Sequence, residues 1–131
     1  MKAFVCSGKA VLSTSDVYSL LDRVRAEHGV TSILRAEGGS MDQLVDHWAR
    51  RRGLPVEVAR LHRRAHGRNA AQVRDETALA NGSPDLVVIM PGTTVAWAQE
   101  KNARVFGVPV VRVKAPKHVR VAKWKATHGG S

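Results

Sequence analysis

The sequence predicts an α/β fold: an open, all-parallel sheet of about five strands, with helices on both faces. Short apolar runs alternate with helical periodicities in the strict order β-α-β-α-β-α-β-α-β. The runs are apolar at nearly every position, as strands covered on both sides are; half-exposed strands would alternate. Glycine-containing turns close the runs and locate the strand ends.

Ala3 to Cys6 is the first apolar run, stopped by Ser7-Gly8. Ser13-Thr14-Ser15-Asp16 then offers N-caps, and Val17, Leu20, Leu21 and Val24 fall on one helix face that ends at His28-Gly29. Thr31 to Ala36 is the second strand, followed by Glu37-Gly38-Gly39-Ser40. Met41, Leu44, Val45 and Trp48 repeat the helical spacing, and Arg51-Arg52-Gly53 supplies cations and a glycine at the helix end. Leu54 to Ala59 is a third strand, with Pro55 suiting an edge position. Residues 60–69 read as a basic loop. Ala70 to Ala80 reads as a helix with Val73, Thr77 and Ala80 inward. Asp85 to Met90 is the strongest strand, apolar on both faces; Pro91-Gly92-Thr93-Thr94 leads into a helix reaching Phe106. After Gly107, Val108 to Val113 is the fifth strand. Right-handed crossovers leave few topologies for such a chain, and the expected one is Rossmann-like, with strand order 3-2-1-4-5. One domain over 1–113 and a basic C-terminal tail over 114–131 are expected.

The 131 residues carry 21 Lys and Arg against 11 Asp and Glu, a net charge of +10. Seven arginines (50, 51, 52, 60, 63, 64, 68) face one acid, Glu57, between Arg50 and Arg68. Half the excess charge lies in the tail, which holds no acid. This balance favours anionic partners without naming the anion; solubility is the plainer reading. A single cysteine, Cys6, excludes an intramolecular disulfide framework and a Cys-rich zinc module. No run is long enough for a membrane span, and the N-terminus reads as a strand rather than a secretion signal. A small cytoplasmic protein without a membrane partner is expected.

In an open parallel sheet, ligands bind beyond the carboxyl ends of the strands, where strand order reverses. That point falls between the first and fourth strands. The turns there and on the neighbouring second strand are Ser7-Gly8-Lys9, Glu37-Gly38-Gly39-Ser40 and Pro91-Gly92-Thr93-Thr94, each with glycine and hydroxyls. Glycine permits close backbone approach, and helix N-termini present free N–H groups to phosphate or carboxylate. No G-x-G-x-x-G and no P-loop occurs. Two or three charge-assisted hydrogen bonds of about 1.5–3 kcal/mol each, less the cost of association, correspond to roughly micromolar to millimolar binding of a phosphorylated small molecule. No cofactor is called for.

The run Glu37-Gly38-Gly39-Ser40-Met41-Asp42-Gln43-Leu44-Val45-Asp46-His47-Trp48-Ala49, then Arg52-Gly53-Leu54-Pro55-Val56, resembles the YspA/YpsA-related branch of the SLOG superfamily, which reads GG-A-x-G-x-D-x-L-A-x-x-W-A and then RG-x-P-V. The likeness continues through His66-Gly67-Arg68-Asn69-Ala70-Ala71-Gln72-Val73-Arg74-Asp75, through Pro84 to Thr94, and through Ala103 to Val110. It implies a Rossmann-like nucleotide-binding domain and, by analogy with related domains, a homodimer. Carried over residue by residue, the ligand-facing candidates are Ser7, Gly8, Lys9, Gly38, Gly39, Asp42, Arg74, Gly92, Thr93 and Thr94, with the Ser40 hydroxyl beside them.

The sequence departs from the family after the fourth strand. Related hydrolases carry P-G-G-x-G-T-x-x-E; here Pro91-Gly92-Thr93-Thr94 is shorter, and Trp97 stands where their catalytic Glu would be. This favours binding or sensing of a nucleotide-derived ligand over catalysis. Two rivals remain. One is a nucleic-acid-binding accessory protein using segment 50–68 and the tail, where Trp124 lies between lysines. The other is a nucleotide N-glycosidic hydrolase with Asp42 or Glu37 acting on the sugar. His62 and His66, at i and i+4, lack a third metal ligand.

Overall fold

The computed structural model describes residues 1–8 and 12–117. Five parallel strands form one sheet in the order β3-β2-β1-β4-β5, as expected. They are β1 (Lys2–Cys6), β2 (Ser32–Ala36), β3 (Val56–Ala59), β4 (Leu86–Ile89) and β5 (Val110–Arg112). The helices are α1 (Thr14–His28), α2 (Asp42–Arg51), α3 (Arg63–His66), α4 (Ala70–Asn81) and α5 (Ala96–Val105). Among the described residues, no helix is long and apolar enough to cross a membrane.

Alternation along the central strands builds two cores. Ala3, Val5, Ile33, Leu86 and Val88 pack with Val17, Leu21, Val45 and Trp48 of α1 and α2. The intervening Phe4, Cys6, Leu34, Val87 and Ile89 pack with Ala78, Leu79 and Ala103 of α4 and α5 on the other face. The two-sided covering explains why these strands read as continuous apolar runs. Of the N-cap candidates, Ser13 is used: its side chain accepts the Asp16 N–H at 3.0 Å. Gly29, at φ 70°, closes α1 in the left-handed conformation. Trp48 is core, and its indole N–H donates to Asp22 at 2.8 Å.

Three elements differ from the sequence expectation. Residues 60–69 contain α3 and a 3₁₀ turn over Gly67–Asn69, with no buried residue in either, so no apolar periodicity announced them. In α4 the inward residues are Ala70, Asp75, Ala78 and Leu79, while Thr77 and Ala80 are exposed. A buried carboxylate, invisible to an apolar pattern, replaces the expected threonine. The last helix starts at Ala96, so Gly92 is separated from it by Thr93-Thr94-Val95.

Candidate ligand site

All strands run one way, so the turns after β1, β2 and β4 share the carboxyl edge of the sheet. They also touch. A Cβ added to Gly8 would lie 2.4 Å from the Gly92 carbonyl oxygen and 2.6 Å from the Thr93 Cα. Only glycine permits that approach. On the other side, the Ser40 N–H and hydroxyl both donate to the Gly8 carbonyl, at 3.0 and 2.7 Å. A Cβ on Gly39 would stand 2.0 Å from Ser7 Oγ and 2.7 Å from the Ser7 carbonyl oxygen. The β1 turn is thus wedged between the other two. Lys9 lies outside the described residues, as do Trp124 and the tail from residue 118 onward.

The individual residues divide into engaged and open. Asp42 accepts the N–H groups of Gly38 and Gly39 at 2.8 and 3.1 Å. The amides expected to face a ligand after β2 are therefore already met by the chain's own carboxylate. Arg35 neutralises it, with Nη1 3.1 Å from Asp42 Oδ2, while its Nε and Nη2 make a bidentate pair with Asp46 at 2.6 and 2.9 Å. Burial works to lower the Arg35 pKa, but the hydrogen bond to Asp46 and the charges of Asp42 and Asp46 outweigh it and raise it. Glu37 accepts the Leu61 N–H at 2.8 Å and pairs with Arg60 at 3.3 Å. The Leu61 hydrogen bond, aided by Arg60, holds its carboxyl below the usual range against the opposing effect of burial. Both carboxylates considered for sugar chemistry are thus bound to backbone amides and arginines.

Arg74 is also engaged. Its side chain is only 9% exposed and its partner Asp75 6%. Nε and Nη2 reach Asp75 Oδ1 at 2.8 Å, and Nη1 donates to the Glu37 carbonyl at 2.6 Å. Asp75 Oδ2 accepts from Gln99 Nε2 at 3.3 Å. This buried chain ties α4 to α5 and to the β2 turn. Beneath it, burial pushes the Cys6 thiol well above its ordinary pKa, with Asp75 adding to the effect and Arg74 opposing it.

The β4 turn is different. Gly92 sits at φ 81° and Thr93 Oγ1 donates to the Met90 carbonyl at 2.8 Å. The turn at Pro91-Gly92 directs the Thr93 N–H back to the Met90 carbonyl; among the described residues, the N–H groups of Gly92 and Thr94 have no protein acceptor, and Thr94 is exposed. Trp97, at the family's glutamate position, is 67% exposed.

The basic segment 50–68 divides between two ends of the sheet. Exposed Arg50 and Arg51 close α2, at the amino edge, where Arg52 pairs with Asp22 at 2.8 Å and lies over Tyr18. Strand β3 then crosses to the carboxyl edge, so Arg60, Arg63, Arg64 and Arg68 are exposed beside the joined turns. A cleft of about 390 Å³ opens between β3 and α4, lined in part by Val73, Arg74, His62 and His66. Among the described residues, no group of three metal-ligating side chains includes these histidines.

Sequence reasoning missed Arg35, Asp46, Asp75 and Gln99. An arginine inside the apolar run Thr31 to Ala36, followed by Asp42 and Asp46 one helical turn apart, was a usable signal for the first pair. Gln99 gives none.

Fold and edge together define an open parallel α/β domain of Rossmann-like topology, with its turns gathered at the topological switch point. Comparisons with protein-family models, curated proteins and solved structures return no significant match.

Proposed function

We propose that this protein binds or senses a nucleotide or nucleotide-derived phosphorylated ligand at the carboxyl ends of β1, β2 and β4. The observation that carries the reading is the β4 turn: the Gly92 and Thr94 amides, without a protein acceptor among the described residues, held against Gly8 at the switch point. Such amides suit phosphate oxygens. Arg63, Arg64 and Arg68 add positive charge on the same edge, where Arg60 is paired with Glu37. The preference for a nucleotide over other phosphorylated molecules comes from the SLOG resemblance. Catalysis is disfavoured because Glu37 and Asp42 are committed within the chain. The resemblance further implies a homodimer, and composition suits a cytoplasmic protein; native mass spectrometry of the purified protein reads subunit count and copurified ligand together.

The test is thermal stabilisation across a panel of nucleoside mono-, di- and triphosphates and cyclic nucleotides. At a hundredfold excess over Kd, a ligand adds about 2.7 kcal/mol, which raises Tm by roughly 5–15 °C. Gly8→Ala drives a Cβ into the Gly92 carbonyl and separates the turns; Thr94→Val removes an exposed hydroxyl with little effect on the fold. Each variant is compared with its own ligand-free melting point. The shift should vanish in Gly8→Ala and shrink in Thr94→Val. A full shift in both variants rejects the site, and no shift with any nucleotide rejects the ligand class.

A further inference from the structure

Among the described residues, helix α5 carries four of the five exposed large hydrophobic residues, or lies directly beside them: Val95, Trp97, Val105 and Phe106. Its inward side is set by buried Gln99 and Ala103. At 100° per residue, Trp97, Lys101, Arg104 and Val105 share the opposite side. All four are exposed, Trp97 at 67% and Val105 at 76%. Lys101 follows Trp97 by about 6 Å along the axis and Arg104 by about 10 Å. Beside this side, α5 meets the sheet edge: Glu100 pairs with Arg112 of β5. Exposed Lys114 continues that edge two residues on. The single acid on this surface is therefore neutralised by Arg112, leaving Lys101, Arg104 and Lys114 as excess positive charge around an aromatic ring.

We infer that the outer side of α5, with the adjoining β5 edge, binds single-stranded nucleic acid, Trp97 stacking on a base while Lys101, Arg104 and Lys114 meet phosphates. An exposed indole provides a stacking face for any base, and flanking cations follow the backbone. The surface lacks the unpaired acid that would repel a polyanion. A second copy of this chain fits less well, because a two-fold through the middle of α5 sets Lys101 against its own mate. The surface begins in the first turn of α5, immediately after the β4 turn, and it uses neither segment 50–68 nor the residues beyond 117.

The experiment is fluorescence anisotropy of a labelled oligothymidine of about 12 nucleotides with the full chain between 50 and 200 mM salt. Trp97→Ala should weaken binding about tenfold, with Trp97→Phe recovering much of it. Lys101→Glu/Arg104→Glu should lower the salt slope by about 1.4, at about 0.7 per lost phosphate contact. Lys123→Glu/Lys125→Glu tests the tail and should leave the Trp97 effect intact. Heparin binding should respond to the charge reversal and not to Trp97→Ala. Circular dichroism melts confirm that each variant folds. No binding by the full chain, or binding indifferent to Trp97→Ala, overturns the inference. So does a Trp97→Ala variant that converts a dimer to a monomer while its oligonucleotide affinity is unchanged, which makes this surface a self-interface.

Discussion

Replacing Asp75 by alanine should strand the Arg74 guanidinium. Both side chains are under a tenth exposed, and among the described residues Arg74 has two partners, Asp75 and the Glu37 carbonyl. Removing one member of a buried ion pair costs about 3–5 kcal/mol, because the remaining charge keeps its desolvation penalty. The surviving bond to Glu37 puts the expectation near 3 kcal/mol, a large share of the roughly 5–15 kcal/mol available to a domain. With a urea slope of about 1–3 kcal/mol per molar, the midpoint should fall by roughly 1–3 M at unchanged slope. The double variant Arg74→Met/Asp75→Leu removes both charges at similar volume and should regain most of that loss. A cost for Asp75→Ala below about 1 kcal/mol, the range of an exposed pair, would refute the reasoning. A double variant as unstable as the single would refute it too. The same double variant reports on function. A nucleotide shift that survives in it identifies Arg74 as a strut between α4 and the β2 turn. A shift lost with the fold intact returns Arg74 to the ligand.

Three further outcomes are expected. Asp42→Ala uncovers the amides of Gly38 and Gly39; it should cost about 1–3 kcal/mol and make the melting point rise with added inorganic phosphate more than in the parent. Gly39→Ala should destabilise by about 1–3 kcal/mol, since its Cβ meets the Ser7 carbonyl as well as the mobile hydroxyl; an unchanged urea midpoint would show that the turns can part freely. Asp22, held below its ordinary value of 3.8 by Arg52, and Glu37, held below 4.5 by the Leu61 N–H and Arg60, contribute stability that is complete above those values. It is lost as pH falls through their lowered folded values; the acid melting curve should therefore be shallower in Asp22→Asn.

The joined turns were legible as three glycine-bearing segments, because strand order places them on one edge whatever their side chains do. Their occupancy was not. Asp42 and Arg74 stand in the sequence as ligand-facing candidates by resemblance; nothing local distinguishes an open cation from one that Asp75 and the Glu37 carbonyl already hold. The basic stretch from Arg50 to Arg68 looked like one patch, yet β3 passes through it and carries its halves to opposite edges.

The sequence by itself determined the alternation of five strands with four long helices, the Gly29 end of α1, the edge position of β3 and the sheet order 3-2-1-4-5. Each follows from burial period, cap chemistry or chain connectivity, which act within a few residues or obey general chirality. Tertiary structure alone decided that Gly8 abuts Gly92, that Asp42 fills its neighbours' amides with Arg35 behind it, and that Trp97 stands outside the core. The physical reason is that hydrogen bonds and ion pairs depend on ångström-scale meetings between segments from different crossovers. No periodicity along one segment records where another will lie.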